Sequence, residues 1–219
     1  MTMRRVALLA LAAEAVATAL AWPRLPDRIA LHWDLHGQPN GYGSRLELLL
    51  AGPALLAFIW GLLELLPRLD PRMSRPADPE QTEAERRGAL DIVAGAVLLL
   101  LAAIYATILL HALGILKDAT RVNVVLVAGF LVAFGNFAGR LRPSWFIGIR
   151  TPWTLSSDDV WRRTHRLAGR LMVPAGLLLL VAAVAAPPGT LVFALLAAVG
   201  LSVVPPLVMS YLWWRRSAV

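Results

Sequence analysis

The sequence predicts an all-α polytopic membrane protein: six transmembrane helices, a short extended outer loop and an amphipathic interfacial inner helix. Three observations carry that class. Six apolar stretches recur along the 219 residues, at roughly 4–22, 46–66, 89–116, 122–139, 171–186 and 191–213. A hydrocarbon core about 30 Å thick needs about 20 such residues at 1.5 Å rise each. Hydrophobic residues make up 58% of the chain, charged residues only 16%, and mean hydropathy is +0.64, all outside the soluble average. The basic residues, finally, are unevenly shared between the two sides.

If the chain weaves six times, only Arg24, Arg28, Arg45, Lys117 and Arg121 of the 21 Lys and Arg fall on one side. The rest, from Arg4 and Arg5 through the clusters at 68–87 and 140–170 to Arg215 and Arg216, fall on the other. The positive-inside rule makes that side, with both termini, cytoplasmic. This asymmetry also accounts for the net charge of +7 and the pI near 11.1, so direct binding of nucleic acid is not expected. Cysteine is absent, which excludes disulfides and thiolate metal sites.

The first span, with the second, forms a hairpin over 1–67. Its basic start, apolar core and Ala19-Leu20-Ala21 also fit a signal peptide, but Glu14 interrupts the core, so a retained helix is expected. A charge there costs about 2.5–3.5 kcal/mol, so Glu14 should face the bundle interior. Tyr105 and Thr107 of the third span are its expected partners, and His111 lies nearer that span's outer end. An interhelical hydrogen bond is the plain reading; a proton or ligand site is the sharper one.

The outer loop spans 23–45. Ile29, Leu31, Trp33 and Leu35 alternate with Ala30, His32, Asp34 and His36, a period of two that predicts a strand with one apolar face. Gly37-Gln38-Pro39-Asn40-Gly41 then reads as a turn. On such a strand His32, Asp34 and His36 share a face, a set able to hold a divalent cation such as zinc. The alternative is a polar face whose His and Asp hydrogen-bond the turn.

Residues 68–88 read as a solvated cytoplasmic connector, with a helix start at Thr82-Glu83. A four-helix region follows over 89–219, with an inner loop at 140–170. There Pro152 drives Thr151 extended, and Ser156 and Asp159 stand at capping-box spacing. From Val160 a stripe of Val160, Trp161, Thr164, Leu167 and Ala168 opposes Arg162, Arg163, Arg166 and Arg170, an amphipathic helix suited to the inner leaflet. Trp145, Trp153 and Trp161 are then expected at the headgroups. Anchorage is one use; docking of a cytoplasmic partner is the other. The fork of Arg150 suits carbonyls or a carboxylate, with Asp158, Asp159 or helix C-terminal carbonyls as expected partners. Gly169 and Gly176 offer close packing, Pro187-Pro188-Gly189 a short outer turn, and Pro205-Pro206 an expected kink.

The inner run Phe146-Ile147-Gly148-Ile149-Arg150-Thr151-Pro152-Trp153-Thr154-Leu155-Ser156, with Gly135-Asn136, Val160-Trp161, Thr164-His165 and Gly169, resembles the SdpI family of bacterial membrane proteins. That family includes immunity proteins against a secreted antimicrobial peptide. Pro26, Ile29, His32, Trp33, Asp34, Gly37, Pro39, Tyr42, Ser44 and Arg45 resemble a small domain of unknown function that often precedes it. Ser144 stands where the family usually has Asn. The resemblance implies a bacterial cytoplasmic-membrane protein resisting a membrane-active peptide toxin, and capture of a cytoplasmic repressor.

Two site regions follow. His32, Trp33, Asp34, His36, Tyr42 and Arg45 are expected to meet the ligand. Asn136, Gly148, Arg150, Thr151, Pro152, Trp153, Thr154, Trp161 and His165 form the inner motif. The leading reading is a non-enzymatic immunity or sensing protein with no cofactor. A metal-dependent hydrolase built on the outer His/Asp set is the second class, although no HExxH, GxSxG or Cys nucleophile is present. A transporter resting on Glu14, Tyr105 and His111 is the third.

Overall fold

The computed structural model describes residues 2–70 and 83–217. Most of the connector reading at 68–88 lies outside those residues. Six helices among the described residues are long and apolar enough to span a membrane, as expected.

Helix α1 (Met3–Ala21) ends in a 3-10 turn, Trp22–Arg24, where Pro23 supplies no amide donor. Strands β1 (Ile29–Trp33) and β2 (Pro39–Gly43) pair antiparallel. Helix α2 (Arg45–Leu49) starts at a capping box, in which Ser44 and Glu47 satisfy each other's amides. One π-helical turn, Leu50–Ala54, carries the span past Pro53 into α3 (Leu55–Leu69). Helices α4 (Glu83–Ala112) and α5 (Ala119–Ala138) are joined by a short turn. The loop beyond α5 holds the short α6 (Pro152–Ser156) and leads into α7 (Asp158–Ala185). A 3-10 turn, Pro188–Thr190, connects α7 to α8 (Leu191–Ser217).

Three buried cores organise these elements. Val6, Ala7 and Ala10 of α1 pack with Leu56 of α3 and Ala94 and Leu98 of α4. Toward the hairpin, Ala21, Leu25, Ile29 and Leu48 close over Tyr105, Ile108 and Leu109 of α4. The third core joins α5, α7 and α8 through Val124, Ala128, Leu131, Ala175, Leu179 and Leu191. So the third span buries its apolar side in the first two cores.

Between α5 and α7 the backbones touch. A Cβ on Gly169 would lie 2.4 Å from the Gly135 carbonyl oxygen, and one on Gly176 2.7 Å from that of Ala128. Small residues permit this approach, which membrane helices use in place of a hydrophobic drive. The amphipathic stretch from Val160 is helical, as expected, and runs unbroken into the fifth span. Pro174, Pro205 and Pro206 all lie within continuous helices.

Candidate functional site

The hairpin and the 140–157 loop lie at opposite ends of the bundle. On the hairpin face, Ile29, Leu31 and Trp33 turn into the core while His32 stays exposed, but Ala30, expected on the face of His32, is buried as well, so the alternation holds only from Leu31 to Trp33. It then fails. The strand stops at Trp33, and irregular register on both sides of His32 disturbs the pairing. His32 Nδ1–H donates to Asn40 Oδ1 (2.6 Å). The Asp34 carboxylate accepts from the His36 and Gln38 amides, both at 2.9 Å, and caps the turn. The His36 ring meets Phe193 of α8 edge-on at 6.0 Å. His32, Asp34 and His36 therefore do not converge, and no metal-holding cluster of His, Asp and Glu occurs among the described residues. The Asp34 carboxyl is held below its usual range, chiefly by the Gln38 amide.

Arg45 belongs to the hairpin's base rather than to an open recognition surface. Its guanidinium donates to the Leu25 carbonyl (2.6 Å) and to Asp27 (3.3 Å), and lies over the Trp22 ring. Tyr42 is exposed, with the Arg28 guanidinium over its ring at 5.3 Å. Trp33 meets His111 edge-on at 5.7 Å, and His111 Nδ1–H donates to the Leu116 carbonyl. At the tip, Gly37 adopts φ +75° and accepts a hydrogen bond from Thr120 of α5 (3.1 Å). Beside these contacts lies a partly open cavity of about 230 Å³ lined by Trp33, His36, His111, Lys117, Thr120 and Pro188, among others.

On the far face the loop is tied down residue by residue. Asp70, at the end of α3, accepts from Ser144 Oγ (2.7 Å) and from the Trp145 amide (2.8 Å). Ser144 Oγ in turn accepts from the Phe146 and Ile147 amides. A serine thus holds this turn. Gly148 has φ +110°, and a Cβ there would meet His165 Nε2 at 2.5 Å and the Trp161 ring at 2.8 Å. His165 Nε2 accepts from the Ile149 amide (3.0 Å) and Nδ1–H donates to the Trp161 carbonyl (2.9 Å), which selects the neutral Nδ1–H tautomer. Its ring stacks on Trp161 at 4.1 Å.

Several expectations change here. Trp161 is fully buried, its indole N–H donating to the Leu141 carbonyl, because the loop folds over its face of α7 before lipid can reach it. Thr151 is extended, as Pro152 requires, but the capping box is Thr151 with Thr154 and opens α6. Thr154 is fully buried and also donates to the Ile149 carbonyl. The N-cap of α7 is Ser157, not Ser156, because α6 consumes Ser156. Trp153 donates to Ser210 Oγ (2.6 Å) and stacks edge-on with Tyr211, binding the loop to α8. Arg150 is exposed and donates to the Trp145 carbonyl (2.7 Å), while Asp159 pairs with Arg162 and Arg163. At the opposite end of the bundle Arg121, which the sequence did not single out, reaches the Ala183 and Ala186 carbonyls at the end of α7. Asn136 lies on an exposed face of α5 and bonds back to the Val132 carbonyl, apart from the motif.

Inside the first bundle Glu14 is buried, as expected. Tyr105, however, pairs with Thr18 Oγ1, and Thr107 with Asn123. Sequence reasoning missed Asp70, Arg121 and the Ser44–Glu47 box; only the last carried a local signature, its capping-box spacing.

This is a six-span membrane protein with a structured hairpin on one face and a locked loop on the other. Residues 140–210 match the SdpI/YfhL protein family, and residues 9–57 match the domain of unknown function DUF1648, so the resemblance read from the sequence holds. The chain is also 27% identical over 162 residues, 72% of its length and 70% of the relative's, to the Immunity protein SdpI of Bacillus subtilis (strain 168). No solved structure matches significantly.

Proposed function

We propose that this chain is a membrane immunity protein that protects its cell by holding a membrane-active peptide at the hairpin face, without covalent chemistry. The observation that supports it is the cavity under the hairpin. Its walls come from the DUF1648 segment, from the α4–α5 turn and, at Pro188, from the SdpI-family segment. A peptide seated there would couple the two matched segments, and the similarity to the immunity relative covers 72% of the chain. About 230 Å³ accepts a side chain or two rather than a whole peptide, so the peptide would anchor through one residue, with Lys117 and the two imidazoles at hand. In this reading the hairpin faces outward and both termini lie in the cytoplasm, as the basic residues direct. Signalling to a cytoplasmic regulator would fall to the far face, where Arg150 is exposed.

The test is survival of a sensitive bacterium expressing the protein. His36→Ala and Lys117→Ala should lose protection while membrane levels stay normal, and the recovered peptide should be intact by mass. Peptide cleaved in a manner that depends on His32 or His36 would overturn binding in favour of hydrolysis. Undiminished protection by both variants would overturn the cavity as the site. A reporter fused after Val219 that is active only outside the cytoplasm would overturn the orientation.

A further inference from the structure

Glu14 is 5% exposed, and neither of its carboxyl oxygens has a hydrogen-bond partner among the described residues. The nearest hydroxyls are already committed. Thr18, one turn along α1, gives its Oγ1 to the Glu14 backbone carbonyl (2.7 Å) and shares a bond with the Tyr105 hydroxyl. Tyr105 is wedged against Gly52, where a Cβ would lie 2.2 Å from its ring. Gly52 belongs to the π-helical turn, whose Pro53 brings no N–H to the ladder. Trp60 of α3 carries a buried indole N–H that also has no partner among the described residues.

No counter-charge is at hand either. The sequence holds no Lys, Arg or His between Val6 and Trp22, between Leu46 and Pro67, or between Asp91 and Leu110. Those ranges are the facing lengths of α1, α2–α3 and α4. The titratable group that α4 presents toward Glu14 is Tyr105, and α3 adds Glu64 only near its far end, where it pairs with Arg68. An ionised carboxylate in this place would be desolvated, unpaired and unbonded at once, which a protein interior does not sustain. A proton removes the charge and asks for no further ligand atoms, whereas a metal cation would need several oxygens around it.

We propose that Glu14 is a proton-binding site inside the membrane, a carboxylate that takes up one proton to become the neutral acid. The Thr18–Tyr105 hydroxyl pair is the next polar step toward the hairpin face. This stands independently of the immunity reading.

Infrared spectroscopy of the full chain in lipid nanodiscs at pH 7 tests it. Exposed carboxyls are ionised there, so a protonated-carboxyl stretch reports a sheltered acid. The band is expected in the wild type and absent from Glu14→Gln. Its absence from the wild type, or its persistence in that variant, overturns the proposal. Should Glu14→Gln fail to fold, an apolar carbodiimide, which attacks protonated carboxyls, replaces it with wild-type protein. Peptide mapping should place the adduct on Glu14, its rate falling about tenfold per pH unit once the group ionises. An adduct confined to other carboxyls, or a rate that rises with pH, overturns it.

Discussion

At the scale of single residues, Gly148 and Asp34 show how little room the loops leave. Gly148 needs its positive φ and also lacks a Cβ because His165 and Trp161 occupy that space. Gly114 has a similar φ of +72° but nothing within 4 Å of a built Cβ. Gly148→Ala is therefore expected to lower stability by about 2–4 kcal/mol, backbone strain plus a clash, and Gly114→Ala by about 1 kcal/mol, strain alone. Thermal unfolding of both variants in detergent checks the gap. Asp34 makes a pH prediction. Its folded-state affinity for protons is depressed by the turn amides. Its contribution is therefore fully present above the ordinary carboxylate range, and is lost as pH falls through the lowered folded value. The His36 and Gln38 amides should be protected at neutral pH and lose protection in strong acid. Hydrogen exchange corrected for intrinsic rates follows this, and Asp34→Ala should be unprotected throughout.

At the scale of elements, the α5–α7 pair depends on absent side chains. Gly169→Ala forces a methyl toward the Gly135 carbonyl, so the helices must separate, at about 1–3 kcal/mol. Gly200 of α8 has nothing within 4 Å of a built Cβ, so Gly200→Ala should be neutral or should stabilise by about 0.5–1 kcal/mol. Opposite signs for two identical changes, read as melting shifts in one detergent, would be the signature of contact rather than helix propensity. The short α6 shows the same dependence on fit. Thr151 and Thr154 cap each other locally, but the Trp153 bond to Ser210 sets where the turn rests.

At the scale of the molecule, polar ties join distant segments. Thr120 bonds the hairpin tip at Gly37, Arg121 caps the end of α7, and Asp70 seats the turn at Ser144. Asp70 is 1% exposed and Ser144 is as deeply buried, so removal of Asp70 takes the acceptor from the buried Ser144 hydroxyl and from the Trp145 amide. Asp70→Ala should cost about 1.5–3 kcal/mol and speed tryptic cleavage after Arg150, while the hairpin face keeps its fold. Unchanged cleavage kinetics would show that the loop is held without Asp70.

Spans, the extended Ile29–Trp33 segment, the Pro152 turn and the SdpI-like motif were legible because each is written in neighbouring residues. Hydropathy runs, a period of two and the backbone limits of Gly and Pro act over a few positions. What the tertiary structure decided is where polar groups find partners. His32, Asp34 and His36 looked like one set on an ideal strand, but the strand ends at Trp33 and each side chain bonds elsewhere. Trp161 looked like a lipid anchor until the loop covered it, and Arg150, expected at Asp158, Asp159 or helix C-terminal carbonyls, donates to the Trp145 carbonyl. Glu14 was legible as a buried acid from its place in an apolar span, but that Thr18 claims Tyr105 and leaves the carboxyl alone is a matter of helix rotation. Periodicity sets which face a residue occupies on its own element; only packing sets what that face meets.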